Sequence, residues 1–170
     1  MNIFLTGEKQ IGKTTIIEKT LAQLNKDYGG FKTYFGPDRN LPNRMLYMNS
    51  ITEPYIYNEE YGIVQISDFS KPQVIENRFN TFGVKLIKEA IEYKQLLVMD
   101  ECGGFERNSF QFQEQVYKAL DSNVPVLGVI KLECSGWVEK IRSHPEVELI
   151  IVTKANRDKL PQILYKKLTE

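Results

Sequence analysis

The chain has 170 residues, 42% of them hydrophobic and 26% charged. That is the size and balance of one globular domain able to bury a core without disulfides or metals, and it excludes a disordered or fibrous chain. Twenty-two basic residues offset twenty-two acidic ones, so no overall positive field draws the protein to nucleic acid or to an anionic membrane.

The first apolar run, Ile3-Phe4-Leu5, opens a strand over Asn2–Thr6. It is too short for a signal-peptide core, and no later run approaches the roughly 20 apolar residues that a bilayer span needs. The protein therefore reads as cytoplasmic, with neither a membrane nor nucleic acid as an expected partner. Residues 13–26 follow with helical spacing. The stretch 29–74 then breaks the rhythm. Gly29-Gly30, Gly36-Pro37, Leu41-Pro42, Glu53-Pro54 and Gly62 punctuate short β-like runs at 45–49 and Gly62–Ser67, which predicts antiparallel strands or hairpins inserted after the first helix. Beyond it, helices are predicted at 83–93, 109–120, 136–142 and 158–168, alternating with strands at 95–100, 125–130 and 147–153. Short apolar strands alternating with helices imply a mostly parallel sheet covered on both faces. The expected fold class is α/β, a single domain with an inserted antiparallel hairpin region.

Cys102 and Cys134 stand outside any Cys-x-x-Cys pair and read as reduced packing residues. His144 is the sole histidine, which excludes a multi-histidine metal site; followed by Pro145, it reads as a solvated loop residue.

At the junction of the first strand and first helix, Gly7-Glu8-Lys9-Gln10-Ile11-Gly12-Lys13-Thr14 fits the pattern G-x-x-x-x-G-K-[ST]. Glycines let such a loop curl so that successive N–H groups converge on phosphate oxygens, and the helix that follows adds its positive end. Here Lys13 is expected to reach the β- and γ-phosphates and Thr14 to offer its hydroxyl to Mg²⁺, with Thr15 beside it in the nucleotide-binding set. Gln10 stands where a glycine is common, a change expected to alter flexibility more than phosphate contact. A second acid for the metal is supplied by Leu96-Leu97-Val98-Met99-Asp100-Glu101, a buried strand ending in two carboxylates. Asp100 is expected to hold Mg²⁺ through its water shell, and Glu101 to orient or deprotonate the water that attacks the γ-phosphate. Standing alone, the pair would read as the solvent-edge cap of a strand. After the last strand, Asn156 and Asp158 are candidates for the edge of a base and Arg157 for a phosphate or a stacked ring; the same residues also suit a helix N-cap.

With its motifs in this order, the chain resembles the nucleoside-triphosphatases of the P-loop kinase-like type, also called cancer-related nucleoside-triphosphatases. Gly29-Gly30-Phe31-Lys32-Thr33 resembles that family's Gly-Phe-x-Thr element, and Asn156-Arg157-Asp158 its late Asn-Arg-Asp. Asp100-Glu101-Cys102-Gly103-Gly104-Phe105-Glu106 resembles its Asp-Glu-Ile-Gly-x-Met-Glu signature, with Cys102 and Phe105 in place of Ile and Met. The resemblance implies a P-loop NTPase fold and an Mg²⁺-dependent enzyme. Such an enzyme hydrolyses nucleoside 5′-triphosphates, ATP or GTP foremost, to diphosphate and phosphate with loose base preference. The family's arginine-plus-glycine pattern is only partly recovered, around Arg44-Met45-Leu46-Tyr47.

Two other readings use the same loop: a nucleotide or small-molecule kinase, and a slow nucleotide-dependent switch. A kinase usually needs an arginine-rich lid, and no arginine cluster occurs here; Glu101 favours turnover over binding alone. Arg39, Arg44, Arg107 and Arg157 are candidates to neutralise transition-state charge, though each reads first as a surface ion pair, and Gly103-Gly104 reads as a closing loop or a tight turn. The aromatics Tyr28, Phe31, Tyr34, Phe35, Tyr47, Tyr55, Tyr57 and Tyr61 read mainly as packing, with room for one to stack on a base.

Overall fold

Among the described residues the strands are β1 (Asn2–Thr6), β2 (Tyr28–Phe35), β3 (Asn43–Ser50), β4 (Gly62–Ser67), β5 (Ser70–Val74), β6 (Leu96–Cys102), β7 (Val126–Ile130) and β8 (Val147–Ile151). The helices are α1 (Lys13–Leu21), α2 (Val84–Tyr93), α3 (Phe110–Leu120), α4 (Trp137–Arg142) and α5 (Leu160–Thr169). The computed structural model describes residues 1–75, 77–133 and 135–170, so the reading of Cys134 lies outside the described residues. The strands join in one sheet in the order β5-β4-β3-β2-β6-β7-β1-β8. Pairing is parallel from β2 through β6, β7 and β1 to β8, and antiparallel from β2 through β3 and β4 to β5.

Side-chain alternation decides what each face buries. Ile3, Leu5, Leu96, Val98, Leu127 and Val129 pack with Ile16 and Ile17 of α1 and Leu160 and Leu164 of α5. Their neighbours Phe4, Leu97, Met99, Val126 and Ile130 pack on the opposite face with Ile87 of α2, Phe112 and Val116 of α3 and Val138 of α4. Strands covered on both sides are mostly apolar along their middles, with buried polar residues such as Asn2, Thr6 and Asp100 toward their ends. Asp100 continues the Leu96 and Val98 row and so faces α1.

The stretch 29–74 departs from expectation in one respect. Its first strand is a member of the parallel sheet: β2 pairs with β6, Gly30 opposite Val98 and Lys32 opposite Asp100, and antiparallel pairing begins only at β3. Gly29-Gly30, which reads as a break, lies inside this strand. A Cβ on Gly30 would sit 2.0 Å from the Val98 carbonyl oxygen, and one on Gly29 would meet Ala90 of α2 at 3.3 Å. The pair therefore serves close approach of backbone and helix.

Boundaries differ for local reasons. The first helix stops at Leu21 because Gln23 and Leu24 donate to Thr20 and Leu21 carbonyls in a tighter closing turn. A π-turn, Phe79–Gly83, leads into α2. β6 continues through Cys102, opposite Ile130, and Cys102 is fully buried as a packing residue should be. His144 is half-buried, its ring lying between the Asp121 carboxylate and the Glu146 N–H, each at 3.2 Å. Among the described residues no helix is long and apolar enough to cross a membrane.

In mid-β7, Gly128 lies opposite Phe4, and a Cβ there would fall 2.3 Å from the fully buried Phe4 ring. Gly128→Ala is expected to lower stability by about 1–3 kcal/mol, the usual scale of overpacking, read from the urea midpoint. Adding Phe4→Leu should recover part of that loss; an unchanged midpoint for Gly128→Ala alone would show that the ring moves aside freely.

Candidate active site

β1 emerges at the carboxyl edge of the sheet, where open α/β sheets bind ligands. The chain leaves it through Gly7, where a Cβ would come within 2.7 Å of the Val152 carbonyl oxygen just past β8. Gly7 has φ +151° and Gly12 φ +109°, conformations L side chains rarely adopt. Gln10 takes a left-handed conformation, φ 59°, without being glycine. The Lys13 ammonium folds across the loop and donates to the Gly7 and Glu8 carbonyls, both at 2.8 Å. No side chain caps α1, which leaves its first N–H groups and positive end available to an anion. Glu8, Lys9, Gln10, Thr14 and Thr15 are exposed, while Ile11 is buried and anchors the loop.

Thr14 and Asp100 line a cavity of about 210 Å³ with Glu18, Lys32 and Tyr55. Asp100 is buried, and its Oδ2 has no hydrogen-bond partner among the described residues. Burial pushes its pKa up to about 7, helped by the charges of Glu101 and Glu18 and opposed by the Thr14 hydroxyl and the Lys13 ammonium. An orphaned carboxylate oxygen beside a hydroxyl is an incomplete set of hard oxygen donors. It fits Mg²⁺, which takes few protein ligands and completes its shell with water and phosphate oxygens. Among the described residues no group of three or more His, Cys, Asp or Glu side chains gathers to hold a metal.

Glu101, joined to Asp100 by a cis peptide bond, faces a different cavity of about 80 Å³, shared with Thr33, Phe105, Glu106 and Lys131. Its N–H donates to the Thr33 hydroxyl at 3.3 Å. Burial raises the Glu101 pKa, against the charges of Lys131, Lys13 and Lys9. Burial in turn lowers that of Lys13, against the charges of Glu101 and Asp100. Lys13 thus lies within electrostatic reach of both acids, while the acids face separate spaces.

The Asn156-Arg157-Asp158 segment forms turns ahead of α5, whose N-cap is Lys159. The N-cap reading of Asn156 and Asp158 is therefore corrected, since the helix starts two residues later than expected, at Leu160. The Asn156 amide closes the turn instead, accepting from Thr153 N–H at 2.8 Å and donating to the Ile151 carbonyl at 2.9 Å. Arg157 reaches the phosphate loop, its guanidinium 3.5 Å from the Ile11 carbonyl, and Asp158 is exposed. Arg44 pairs with Asp68 at 2.7 Å, Arg107 donates to the Gly104 carbonyl at 3.1 Å, and Arg39 lies over the Phe35 ring. Tyr34, Tyr47, Tyr55 and Tyr57 pack on one another, and Phe31 on Phe112. Gly103-Gly104 is a tight turn: the Glu106 carboxylate accepts the Gly103 N–H at 3.0 Å, and Trp137 Nε1 donates to the Gly103 carbonyl at 2.8 Å.

Lys131, Lys32 and Glu18 were not singled out by the motifs. Glu18 carried a signal, since it follows Thr14 by one helical turn and shares its face. Lys131 carried a weaker one: it is a charge directly after the wholly apolar β7.

A sheet of this order, with a lysine-bearing phosphate loop leaving β1 and two acids ending β6, defines a P-loop nucleotide-binding protein of the α/β class. A family model described as NTPase matches residues 2–165, and the chain belongs to that family of nucleoside-triphosphate-hydrolysing enzymes. The nucleoside-triphosphatase THEP1 of Natranaerobius thermophilus is 32% identical over 180 residues, with 99% of this chain and 97% of the relative covered. That of Thermotoga sp. (strain RQ2) is 30% identical over 166 residues, covering 94% and 91%. The crystal structure of THEP1 from Aquifex aeolicus matches with a TM-score of 0.79 at 24% identity over 100% of both chains. The solution structure of a human cancer-related nucleoside triphosphatase matches at 0.66 and 22%, over 99% and 98%. At these identities the two structures bear on the fold alone.

Glu106 is fully enclosed, and burial lifts its pKa to about 8 from an ordinary 4.5. A carboxyl that keeps its proton longer when folded contributes stability that is complete below the unfolded pKa and is lost as pH rises through the folded one. Stability should therefore fall between about pH 4.5 and 8. Glu106→Gln keeps the acceptor for Gly103 and removes this slope. Thermal midpoints should match wild type near the acid end and exceed it at the alkaline end; parallel curves would show that Glu106 titrates normally.

Proposed function

We propose that the protein is a cytoplasmic enzyme that hydrolyses nucleoside 5′-triphosphates, ATP and GTP among them, to diphosphate and phosphate with Mg²⁺ and loose base preference. One observation carries this reading: Thr14 and Asp100 line one cavity beside the loop that Lys13 spans, while Glu101 faces another. In the proposed reaction the loop N–H groups of 7–15 and Lys13 cradle the β- and γ-phosphates. Thr14 and Asp100 would hold Mg²⁺, which supplies positive charge to the phosphate oxygens when bound. Glu101 orients a water and accepts its proton as the water oxygen bonds to the γ-phosphorus and the bridging oxygen leaves with the diphosphate. Arg157 sits beside the loop as a phosphate partner. Loose base preference agrees with an Asn156 amide already engaged by backbone and an Asp158 directed to solvent.

Phosphate release from ATP, GTP, CTP and UTP with Mg²⁺ and no acceptor tests this reading. Steady release from all four, abolished by EDTA and restored by Mg²⁺, is expected; no free phosphate, with diphosphate and a phosphorylated acceptor formed only after a nucleoside or nucleotide is added, would make the protein a kinase. Lys13→Ala should abolish turnover and weaken triphosphate binding more than diphosphate binding.

The two acids should separate. Asp100→Asn is expected to damage Mg²⁺ and nucleotide binding together. Glu101→Gln should hold triphosphate affinity within a few-fold while lowering single-turnover hydrolysis by ~10²-fold or more, the scale of a positioned base. Near-wild-type hydrolysis by Glu101→Gln would remove Glu101 from the chemistry.

A further inference from the structure

We propose that Lys131 is a positioning residue for hydrolysis: it leaves β7 into the cavity beside β6 and holds the Glu101 carboxylate in one orientation there. The inference rests on the hydrolytic reading above and adds a residue to it.

The topology puts Lys131 in place. β7 lies between β1, which carries the phosphate loop, and β6, which carries the acids, and is parallel to both. The first residue beyond β7 is therefore delivered to the carboxyl edge between Lys13 and Glu101. Its backbone is fixed there, because the Lys131 N–H donates to the Cys102 carbonyl at 3.1 Å, one residue past Glu101. Its stem is directed as well. A Cβ on Gly103 would fall 2.9 Å from Lys131 Cδ and 3.2 Å from Cε, so the bare glycine makes room for the stem. The ammonium then lies 4.9 Å from the centre of the Phe105 ring, a contact that favours a cation without neutralising it.

Lys131 and Glu101 line the same cavity of about 80 Å³. Among the described residues Lys131 makes no ion pair within 4.0 Å, with Glu101 or with any other carboxylate, and its charge also acts on Glu106 in the same cavity. A half-buried carboxylate on three rotatable bonds can swing, and a fixed cation on one side restricts it; misplacement of a reacting group by about 1 Å can lower a rate by ~10²-fold. Of the four candidate arginines, Arg44 is engaged with Asp68, Arg107 with Gly104 and Arg39 over Phe35, while Arg157 lies at the Ile11 carbonyl of the phosphate loop.

The test is steady-state phosphate release with Mg²⁺-triphosphate for Lys131→Met, Lys131→Arg, Glu101→Gln and the double variant Lys131→Met/Glu101→Gln, with thermal midpoints to confirm folding. Lys131→Met should lower kcat ~10- to 100-fold with KM held within about threefold, and Lys131→Arg should restore most of it. In the Glu101→Gln background Lys131→Met should add no further loss, since it acts through Glu101. Wild-type turnover in Lys131→Met overturns the proposal. So does a double variant whose losses multiply, or a rise in KM that accounts for the lost kcat/KM, since either would mean direct contact with phosphate. Should Lys131→Met not fold, Lys131→Gln against Lys131→Arg gives the same comparison. A wild-type protein that releases no phosphate would defeat the hydrolytic reading itself, a result distinct from an active wild type that is insensitive to Lys131.

Discussion

Asp100, Glu101 and Glu106 follow closely on one another at the end of β6, and burial raises the pKa of each. Removing carboxyl groups from water is unfavourable unless cations, hydrogen bonds or retained protons offset it. All three devices are present. Lys13 and Lys131 supply charge, Thr14 and the Gly103 N–H supply hydrogen bonds, and the raised pKa values of Asp100 and Glu106 favour their protonated forms. What stays unanswered is one oxygen, Asp100 Oδ2. In the proposed reaction Asp100 and Thr14 would hold a divalent cation there, which would supply positive charge beside the phosphates.

The sheet makes that arrangement affordable. β1, β7 and β6 run parallel and are buried on both faces, so their carboxyl ends form a rigid edge on which the loop, Lys131 and the acids are held at fixed spacing. β2 continues the edge beyond β6 and sends Lys32 to one cavity and Thr33 to the other. The chain between β3 and β4 is tied down over the cavity that Asp100 faces. Tyr55 donates to Glu18 of α1 at 2.7 Å, and the Tyr34 hydroxyl both donates to the Ile56 carbonyl at 2.8 Å and accepts the Ile56 N–H at 3.0 Å. The Lys32 ammonium lies 4.1 Å from the centre of the Tyr55 ring and also donates to the Glu53 carbonyl.

Much of this is readable without coordinates. A loop that cradles phosphate needs residues of fixed type at fixed local spacing, and 7–14 contains them in order. Strands covered by helices on both sides are mostly apolar along their middles, so β1, β6 and β7 announce themselves. The acids of β6 are legible because they interrupt such a run. The glycine pair in β2 misleads for an equally physical reason: glycine marks both a turn and a strand pressed against its neighbours, and only the Val98 carbonyl 2.0 Å from the missing Cβ tells the two apart. The turn before α5 misleads likewise, because Asn and Asp cap loops as readily as helices.

What the sequence determined by itself is local: the phosphate loop, the alternation of strand and helix, and the pair of acids, each encoded by neighbours a few residues apart. The tertiary structure decided which distant groups meet. Strand order is set by long-range packing that leaves no local mark, and it is strand order, with β7 between β1 and β6, that carries Lys131 to Glu101 and separates the space facing Asp100 from the space facing Glu101.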